Sequence, residues 1–485
     1  MNKNAFYFFA GGAVLLAGCT MAPKYSRPTA PVPAAWPTGP AYATNSATSN
    51  NVAAASLKWQ DFFQDEKLRN LISLALTNNR DLRKAVLSVE RARAMYAIQR
   101  DALYPVLNAN GTGSKSQVPG DLASSGRRQV NERYDANLGV ASWEIDFFGR
   151  IRSMKDRALE EYLATEQARR SAQILLVSSV AQTYMALAAC HDNLALAENT
   201  LESQQNAYNL VKKRRDLGLI PEIELYRAQT PLDTARRDVA VYQKQTALQE
   251  NALNLLLGAP VPKDLLPGRL DDVTAPQPVT PGLPSDVLLR RPDVVQAENL
   301  LKAAYADIGA ARAAFFPRIS LTAAAGTASA DLNGLFKAGS GAWSYAPQIV
   351  MPIFDARTWS AARVAKVQRE IAVTQYEKAI QSAFKDVADA LAASGTVDAE
   401  LSAQQSLVTA LSETHRLSYS RFEKGIDSYL GVLDAQHSLF AAQQVLTVLR
   451  LSKLTDTVNL YAVLGGGWYS EQTPVAMASS VPANR

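Results

Sequence analysis

Two stretches of the chain, about residues 150–216 and 357–424, read as helix without a break. At ~1.5 Å per residue each extends about 100 Å. No ordinary globular core needs an element of that length. Neither stretch keeps a strict heptad over its whole run, which suggests laterally packed coiled coils. A glycine turn, at Gly218 or Gly425, reverses each one. Return helices come next, over about 222–257 and 428–464. Shorter helices, about 67–103 and 285–316, come earlier in each half and end at Pro105 and Pro317, where proline stops a helix. Set end to end, a short helix and a return helix match one long helix.

The order of elements recurs because the sequence recurs. Arg100-Asp-Ala-Leu-Tyr-Pro105 matches Arg312-Ala-Ala-Phe-Phe-Pro317 at an offset of 212, which Asp81 and Asp293 share. Leu225-Tyr-Arg-Ala-Gln229 matches Val432-Leu-Asp-Ala-Gln436 at 207, as Leu255-Leu-Leu-Gly258 matches Ala462-Val-Leu-Gly465. One change of offset, in the Gly/Ser/Pro-rich loop 111–131, accounts for both values. The chain therefore reads as an internal duplication, with repeats over 61–257 and 285–468.

Between the short and long helices of each half lie two alternating segments, read as strand hairpins over 105–147 and 317–353. Tyr134, Ala136, Leu138 and Val140 alternate with Asp135, Asn137 and Gly139. Ile319, Leu321 and Ala323 alternate with Arg318, Ser320 and Thr322. A period of two puts one apolar and one polar face on a sheet. Segments of about 10 to 13 residues suit tilted strands crossing a bilayer. Aromatics crowd the junctions: Tyr104, Trp143, Phe147, Phe148, Phe315, Phe316 and Phe354, with Trp343 and Tyr345 inside a strand. Girdles at membrane interfaces look like this. Four strands cannot close, and open edges are not viable in lipid. Three copies would supply twelve, an even number in the range of closed barrels.

The N-terminus carries Lys3, an apolar run from Ala5 to Leu16, and then Leu16-Ala17-Gly18-Cys19. This reads as a cleaved export signal over 1–18. It resembles the bacterial lipoprotein box. That resemblance implies cleavage ahead of Cys19, with an S-diacylglycerol and an N-palmitoyl chain on the new terminus. Thr20, in place of Asp, points by the same resemblance to the outer membrane. Residues 19–60 are Pro-rich and read as an extended strap. Residues 258–284 form a Pro-rich connector and 469–485 a loose tail.

Composition excludes several classes. Of the 485 residues, 47% are hydrophobic and 20% charged, which excludes a disordered chain. Only the N-terminal segment reads as an apolar run of membrane length, which excludes a helical multi-pass transporter. A net charge of +5 with no clustered basic stripe gives no nucleic-acid footprint. Cys19, Cys190, His191, His415 and His437 form no disulfide framework and no zinc spacing. Gly-x-Ser-x-Gly is absent, and Gly465-Gly466-Gly467 precedes Trp468 without a strand–turn–helix setting for phosphate. The chain is not read as an enzyme, and no metal or cofactor is expected beyond the lipid.

Six stretches together resemble the TolC-type outer-membrane channels, in particular their OprM-like lipoprotein branch. They are Leu16-Ala-Gly-Cys19, Trp143-Glu-Ile-Asp-Phe-Phe-Gly-Arg150, Leu163-Ala-Thr-Glu-Gln167, Gly309-Ala-Ala-Arg-Ala-Ala-Phe-Phe-Pro317, Leu433-Asp-Ala-Gln436 and Leu464-Gly-Gly-Gly-Trp468. The resemblance implies a homotrimer with a twelve-stranded β-barrel continuous with a long periplasmic α-barrel. It implies an exit channel for drugs in a tripartite efflux pump. The partners would be a periplasmic adaptor and an inner-membrane pump of the resistance-nodulation-division class. Ducts for metal-cation efflux or type I secretion share the fold and remain alternatives, as does a periplasmic coiled-coil scaffold lipoprotein.

Leu430 and Asp434 are four apart and share one helix face just past the second turn. Three-fold assembly makes each a ring. A leucine ring closes by dewetting, and an aspartate ring attracts cations. Similar family positions form the periplasmic constriction. Their partners at offset 207 are Ile223 and Arg227, and Arg227 is expected to pair with an acidic side chain and hold the tip shut. Gly431 stands where the family can carry a second acidic residue. Leu217-Gly218-Leu219 and Lys424-Gly425-Ile426 resemble the adaptor-docking turns.

Overall fold

The computed structural model describes residues 20–42, 57–279 and 288–466. The export signal, Cys19 and the tail from residue 467 lie outside the described residues. The chain divides into two compact units. Of the described residues, one takes in 20–29, 88–166 and 296–377. The other takes in 30–42, 57–87, 167–279, 288–295 and 378–466.

The helices are α1 (Trp59–Phe62), α2 (Glu66–Asn78), α3 (Arg80–Asp101), α4 (Arg150–Asp216), α5 (Glu222–Leu257), α6 (Pro292–Ala313), α7 (Ala356–Glu423) and α8 (Tyr429–Val463). The strands are β1 (Leu107–Val118), β2 (Gln129–Ile145), β3 (Arg318–Ser329) and β4 (Gly341–Val350). Helices α4 and α7 run 67 and 68 residues, as their sequence predicts.

The first unit holds one antiparallel sheet in the order β1-β2-β3-β4. Its register stacks apolar residues in rows across the strands. Leu107, Val140, Ala323 and Tyr345 form one row, and Ala109, Leu138, Ala325 and Trp343 the next. Trp143, Leu321 and Pro347 form a third row, and Ile145, Ile319 and Ile349 a fourth. The other face carries Asn108, Asn110, Asp135, Asn137, Ser320 and Gln348. Val140 and Trp143 are three apart, so plain alternation would put them on opposite faces. A bulge between them, with Ser142 at φ 51°, restores the parity. Strand β2 has 17 residues, longer than the expected 10 to 13, because it pairs with both β1 and β3 over different parts of its length.

The strap enters this unit beside α6. Ala22 packs where Gly309 has no side chain; a Cβ there would meet its nitrogen at 2.8 Å. Arg27 grips both carboxylate oxygens of Glu298, at 2.9 and 2.8 Å, and the Tyr25 hydroxyl donates to the same group at 3.0 Å. Tyr25 also meets Tyr305 edge to face, with ring centroids 5.5 Å apart. Burial pushes the Glu298 carboxyl up, but the hydrogen bond from Arg27, the charge of Lys302 and the Tyr25 hydroxyl outweigh it. The net effect holds the group below its ordinary 4.5.

In the second unit the predicted helix 67–103 proves to be two. Asn79 is extended (ψ 129°) and separates α2 from α3. Its Oδ1 accepts from the Leu82 N–H at 2.8 Å, capping α3. Its Nδ2 donates at 2.8 Å to the Leu256 carbonyl, one of the free C-terminal acceptors of α5. Gly258 (φ 68°) closes α5 against Asn78, whose carbonyl would lie 2.6 Å from any Cβ. Helices α5 and α3 thus meet end to end. The joint of α8 with α6 is built the same way at the offsets of the sequence repeat. Arg291 stands 212 after Asn79, and its guanidinium donates at 2.8 Å to Val463, which stands 207 after Leu256. Asp293 and Asp386 hold the buried guanidinium in place. Helix α6 begins at Pro292; the expected start at 285 lies outside the described residues, and Leu288, the first described residue after it, is helical.

The core of this unit gathers Phe62, Phe63, Leu71, Ile72, Tyr184, Met185, Leu253 and Tyr461. Phe62 stacks on Tyr461 at 3.8 Å, and the Tyr461 hydroxyl donates to Leu57 at 2.8 Å. An 18-residue stretch of α4 reaches a mean hydropathy of 1.4, so the N-terminal segment is not the chain's one long apolar run. More than half of that stretch is buried within the fold, and Leu176, Val177, Val180 and Met185 place α4 in this core. The Gly465 region ends a helix instead of starting one: Gly466 N–H bonds back to the Tyr461 carbonyl at 2.9 Å.

These contacts set the expected cost of removing each joint. Asn79→Ala takes away a cap and a joint and is expected to cost about 1–2 kcal/mol. Arg291→Ala, which strands a buried carbonyl and loses charged hydrogen bonds, is expected to cost about 2–3 kcal/mol. Denaturant unfolding of the detergent-purified protein reads both. Because the folded Glu298 carboxyl is held low, its contribution is present at neutral pH and is lost as pH falls below 4.5 toward the held value. Limited proteolysis of residues 20–29, with an acid-active protease, should show more cutting as pH falls below 4.5, and Glu298→Gln should increase cutting already at neutral pH.

Candidate functional site

The helical turns form one site. Helix α4 ends in two back-bonds, Gly218 N–H to the Arg215 carbonyl and Leu219 N–H to the Arg214 carbonyl, both at 2.9 Å. Helix α7 ends identically, Gly425 to Phe422 and Ile426 to Arg421, both at 3.0 Å. This is the Schellman arrangement, which needs a left-handed residue after the last turn. Gly218 (φ 70°) and Gly425 (φ 71°) provide it. Leu217, Leu219 and Ile426 then stand well exposed, at 74%, 69% and 59%.

The structure brings both turns to one cluster. Val211, Ala228, Phe422, Tyr429 and Val432 are buried together, with Ile220 and Leu433 against them. Burial pushes the Tyr429 phenol up to about 12. Arg214 lies over the Phe422 ring at 4.9 Å, a cation–π contact between the two hairpins. The turns differ in one respect. Arg421 and Asp427 form a two-pronged ion pair across the second turn. At the matching place in the first turn stands Ile220, and among the described residues no ion pair crosses it.

Leu430 is 55% exposed and Asp434 is exposed on the same face of α8. Arg227 does pair with an acid, but the partner is Glu224 on its own helix, at 2.8 Å. Arg227 and Leu430 line one groove with Leu433, His437 and Phe440; Asp434 lies outside it. Two groove features escaped the sequence reading. Pro231 sits inside α5, a breaker residue visible in the sequence. Gln204 of α4 reaches the groove from another element, which no local pattern reveals.

The aromatic set divides. Tyr104, Phe147 and Phe354 are exposed, as are Trp343 and Tyr345 of β4. Phe316 is stacked on Phe148 at 4.8 Å and Phe315 meets Trp359 edge to face at 4.9 Å. Trp143 is half-buried, its Nε1 donating to the Leu103 carbonyl at 3.2 Å. Four of the seven junction aromatics therefore make packing contacts around the helix–sheet corner.

A four-stranded sheet with one apolar face, joined to uninterrupted helices of 67 and 68 residues, defines the class of TolC-like outer-membrane channels. Solved structures of that class superimpose on it. The open-state MtrE outer membrane channel of Neisseria gonorrhoeae matches at TM-score 0.83 and 37% identity, over 93% of this chain and 98% of that one. A Pseudomonas aeruginosa membrane protein matches at TM-score 0.86 and 40% identity, over 93% and 98%. The family model for outer membrane efflux proteins matches residues 71–259 and again 283–466. The chain is 46% identical to the probable efflux pump outer membrane protein TtgC of Pseudomonas putida, over 97% of each. It is 40% identical to the outer membrane protein OprJ of Pseudomonas aeruginosa, over 94% of each. The chain belongs to the outer membrane efflux protein family. It is the outer-membrane channel component of an efflux pump.

The turn geometry generates a test. Alanine at position 218 or 425 must adopt a left-handed backbone, at about 1–2 kcal/mol. Each of Gly218→Ala and Gly425→Ala is expected to lower stability by that amount, read by denaturant unfolding. The Gly425 variant should be the less disruptive in hydrogen exchange, because the Arg421–Asp427 pair still spans its turn.

Proposed function

We propose that three copies of this chain close into a twelve-stranded barrel and form a gated duct for small toxic molecules. The observation that carries this reading is the sheet. Its edges, β1 and β4, are unpaired on their outer sides among the described residues, and one face is apolar. In a four-stranded antiparallel sheet the two edge strands run in opposite directions. The β4 edge of one copy therefore suits the β1 edge of the next, and repeating that contact leaves no edge in hydrocarbon. Tyr104, Phe147, Phe354, Trp343 and Tyr345 are free to face lipid. The two halves are read as a duplication, supported by the twofold family match and the paired end-to-end joints.

Leu430 and Asp434 become rings at the helical tips, one dewetting and one cation-attracting. Arg227, tied to Glu224, stands as a fixed positive charge in the groove beside Leu430. The exposed Leu217, Leu219 and Ile426, with Lys424, are the surface offered to a periplasmic adaptor. An inner-membrane pump of the resistance-nodulation-division class is the energy source. Relatives in Pseudomonas putida are named for toluene and for antibiotic efflux, which supports a small, apolar, toxic cargo. Cys19 carries the lipid, and the strap held by Arg27 and Glu298 ties that anchor to the folded chain. The protein conducts passively and catalyses nothing.

Single-channel conductance in planar bilayers tests the proposal. Wild-type protein is expected to give small, cation-selective, flickering openings. Leu430→Ala/Asp434→Ala should raise conductance sharply and weaken cation selectivity. Silence from both proteins would end the duct reading, and equal large conductance from both would move the gate away from these residues.

A further inference from the structure

The corner where the sheet meets α4 and α6 holds a cavity of about 440 Å³, within the range of small-molecule sites. All of its lining residues lie in the first compact unit of one chain. Phe316, Pro317 and Val350 line its apolar side, and both Phe316 and Val350 keep exposed surface, at 39% and 53%. The cross-strand row Glu144, Ser320 and Gln348 lines its polar side. Three carboxylates and two guanidiniums stand on its wall. Each carboxylate has an arginine of its own. Glu144 accepts from Arg150 at 2.8 and 2.7 Å, Asp146 from Arg152 at 3.2 Å, and Asp355 from Arg357 at 3.0 and 3.1 Å. Arg318 is left over. Among the described residues its one ion pair is a 3.3 Å contact with Glu144 Oε2, an oxygen that Arg150 already holds. That is longer than the ~2.7–2.9 Å of a strong charged pair. The Arg318 side chain is 61% exposed, so its donors can be reached. The cavity thus carries one surplus positive charge next to an apolar wall.

We propose that this cavity binds an amphiphilic monocarboxylate with a compact ring body. The carboxylate accepts from the Arg318 guanidinium, whose planar fork matches its two oxygens. The ring packs against Phe316 and Val350. A neutral amide of the same shape brings no charge and one acceptor in place of two, so it binds more weakly. A cation meets a like charge. The site adds acidic amphiphiles to the cargo reading. It needs neither barrel closure nor the gate at the helical tips, because one chain supplies its whole wall.

The test uses full-length protein in a non-ionic detergent and two probes of nearly equal shape, 2-naphthoate and 2-naphthamide. Calorimetric titration at neutral pH is expected to show the carboxylate binding about tenfold tighter, as charged hydrogen bonds to an exposed guanidinium allow. Added salt should erode that preference, because it screens the charge. Arg318→Gln leaves Glu144 in the grip of Arg150, so the fold is expected to stand while the preference disappears. Gln348→Trp, at an exposed position on the cavity wall, should block both probes. Equal affinity of the wild type for the two probes would overturn the proposal. So would a preference that survives Arg318→Gln, which places the anion elsewhere. Binding that Gln348→Trp leaves intact would overturn it as well, as partition into detergent. A silent conductance experiment with these binding results in hand would remove the duct and leave the site.

Discussion

An unpaired backbone N–H or carbonyl in hydrocarbon costs several kcal/mol, and a strand edge presents a row of them. That penalty bears on a sheet whose one face is apolar and whose outer strands are open. It explains why the chain invests in register as well as composition. A slip of one residue would bring Asn110, Asn137 and Asp135 to the apolar side. The bulge at Ser142 matters for the same reason. It keeps Trp143 and Ile145 in the face set by Leu138 and Val140, although their sequence parity is opposite.

The helical part solves a different problem. A helix leaves four acceptors free at its C-terminus and four donors at its N-terminus. Where two helices meet end to end, one side chain can serve both. Asn79 does so with an amide that accepts from one helix and donates to the other. Arg291 does half of it with a guanidinium and relies on Asp293 and Asp386 to hold the charge. The position is the same, but the chemistry has diverged from a neutral joint to a charged one. Arg291 is nearly buried, so the carboxylates beside it are a condition of its being there.

Much of this was legible in the sequence. The long helices, their glycine turns and the return helices fell within one or two residues, because glycine and proline punctuate strong helical patterns. The strand pairs were legible from alternation. The break at Asn79 was not, since an Ala/Leu-rich run passes over it without a proline. The Asn78-Asn79 pair was the available sign, and only the Leu256 carbonyl shows why a break is useful there. The bulge was hidden for a similar reason: period-two reading loses phase at Ser142, so the alternation stops at Val140 and Trp143 reads only as a junction aromatic. At the tips, Leu430 and Arg227 line one groove, and Asp434, read with Leu430 as one face, lies outside it. Gln204 came from a third helix, a tertiary fact that no local pattern carries.

The two turns share a backbone shape but not the ties across it. One is clamped by a guanidinium and a carboxylate, and the other closes over Ile220 on packing alone. Any protein that grips such a hairpin therefore meets two grades of handle on every chain. The clamped handle offers a fixed shape and exacts little ordering from its visitor. The packed one yields, and conforms at an entropic cost.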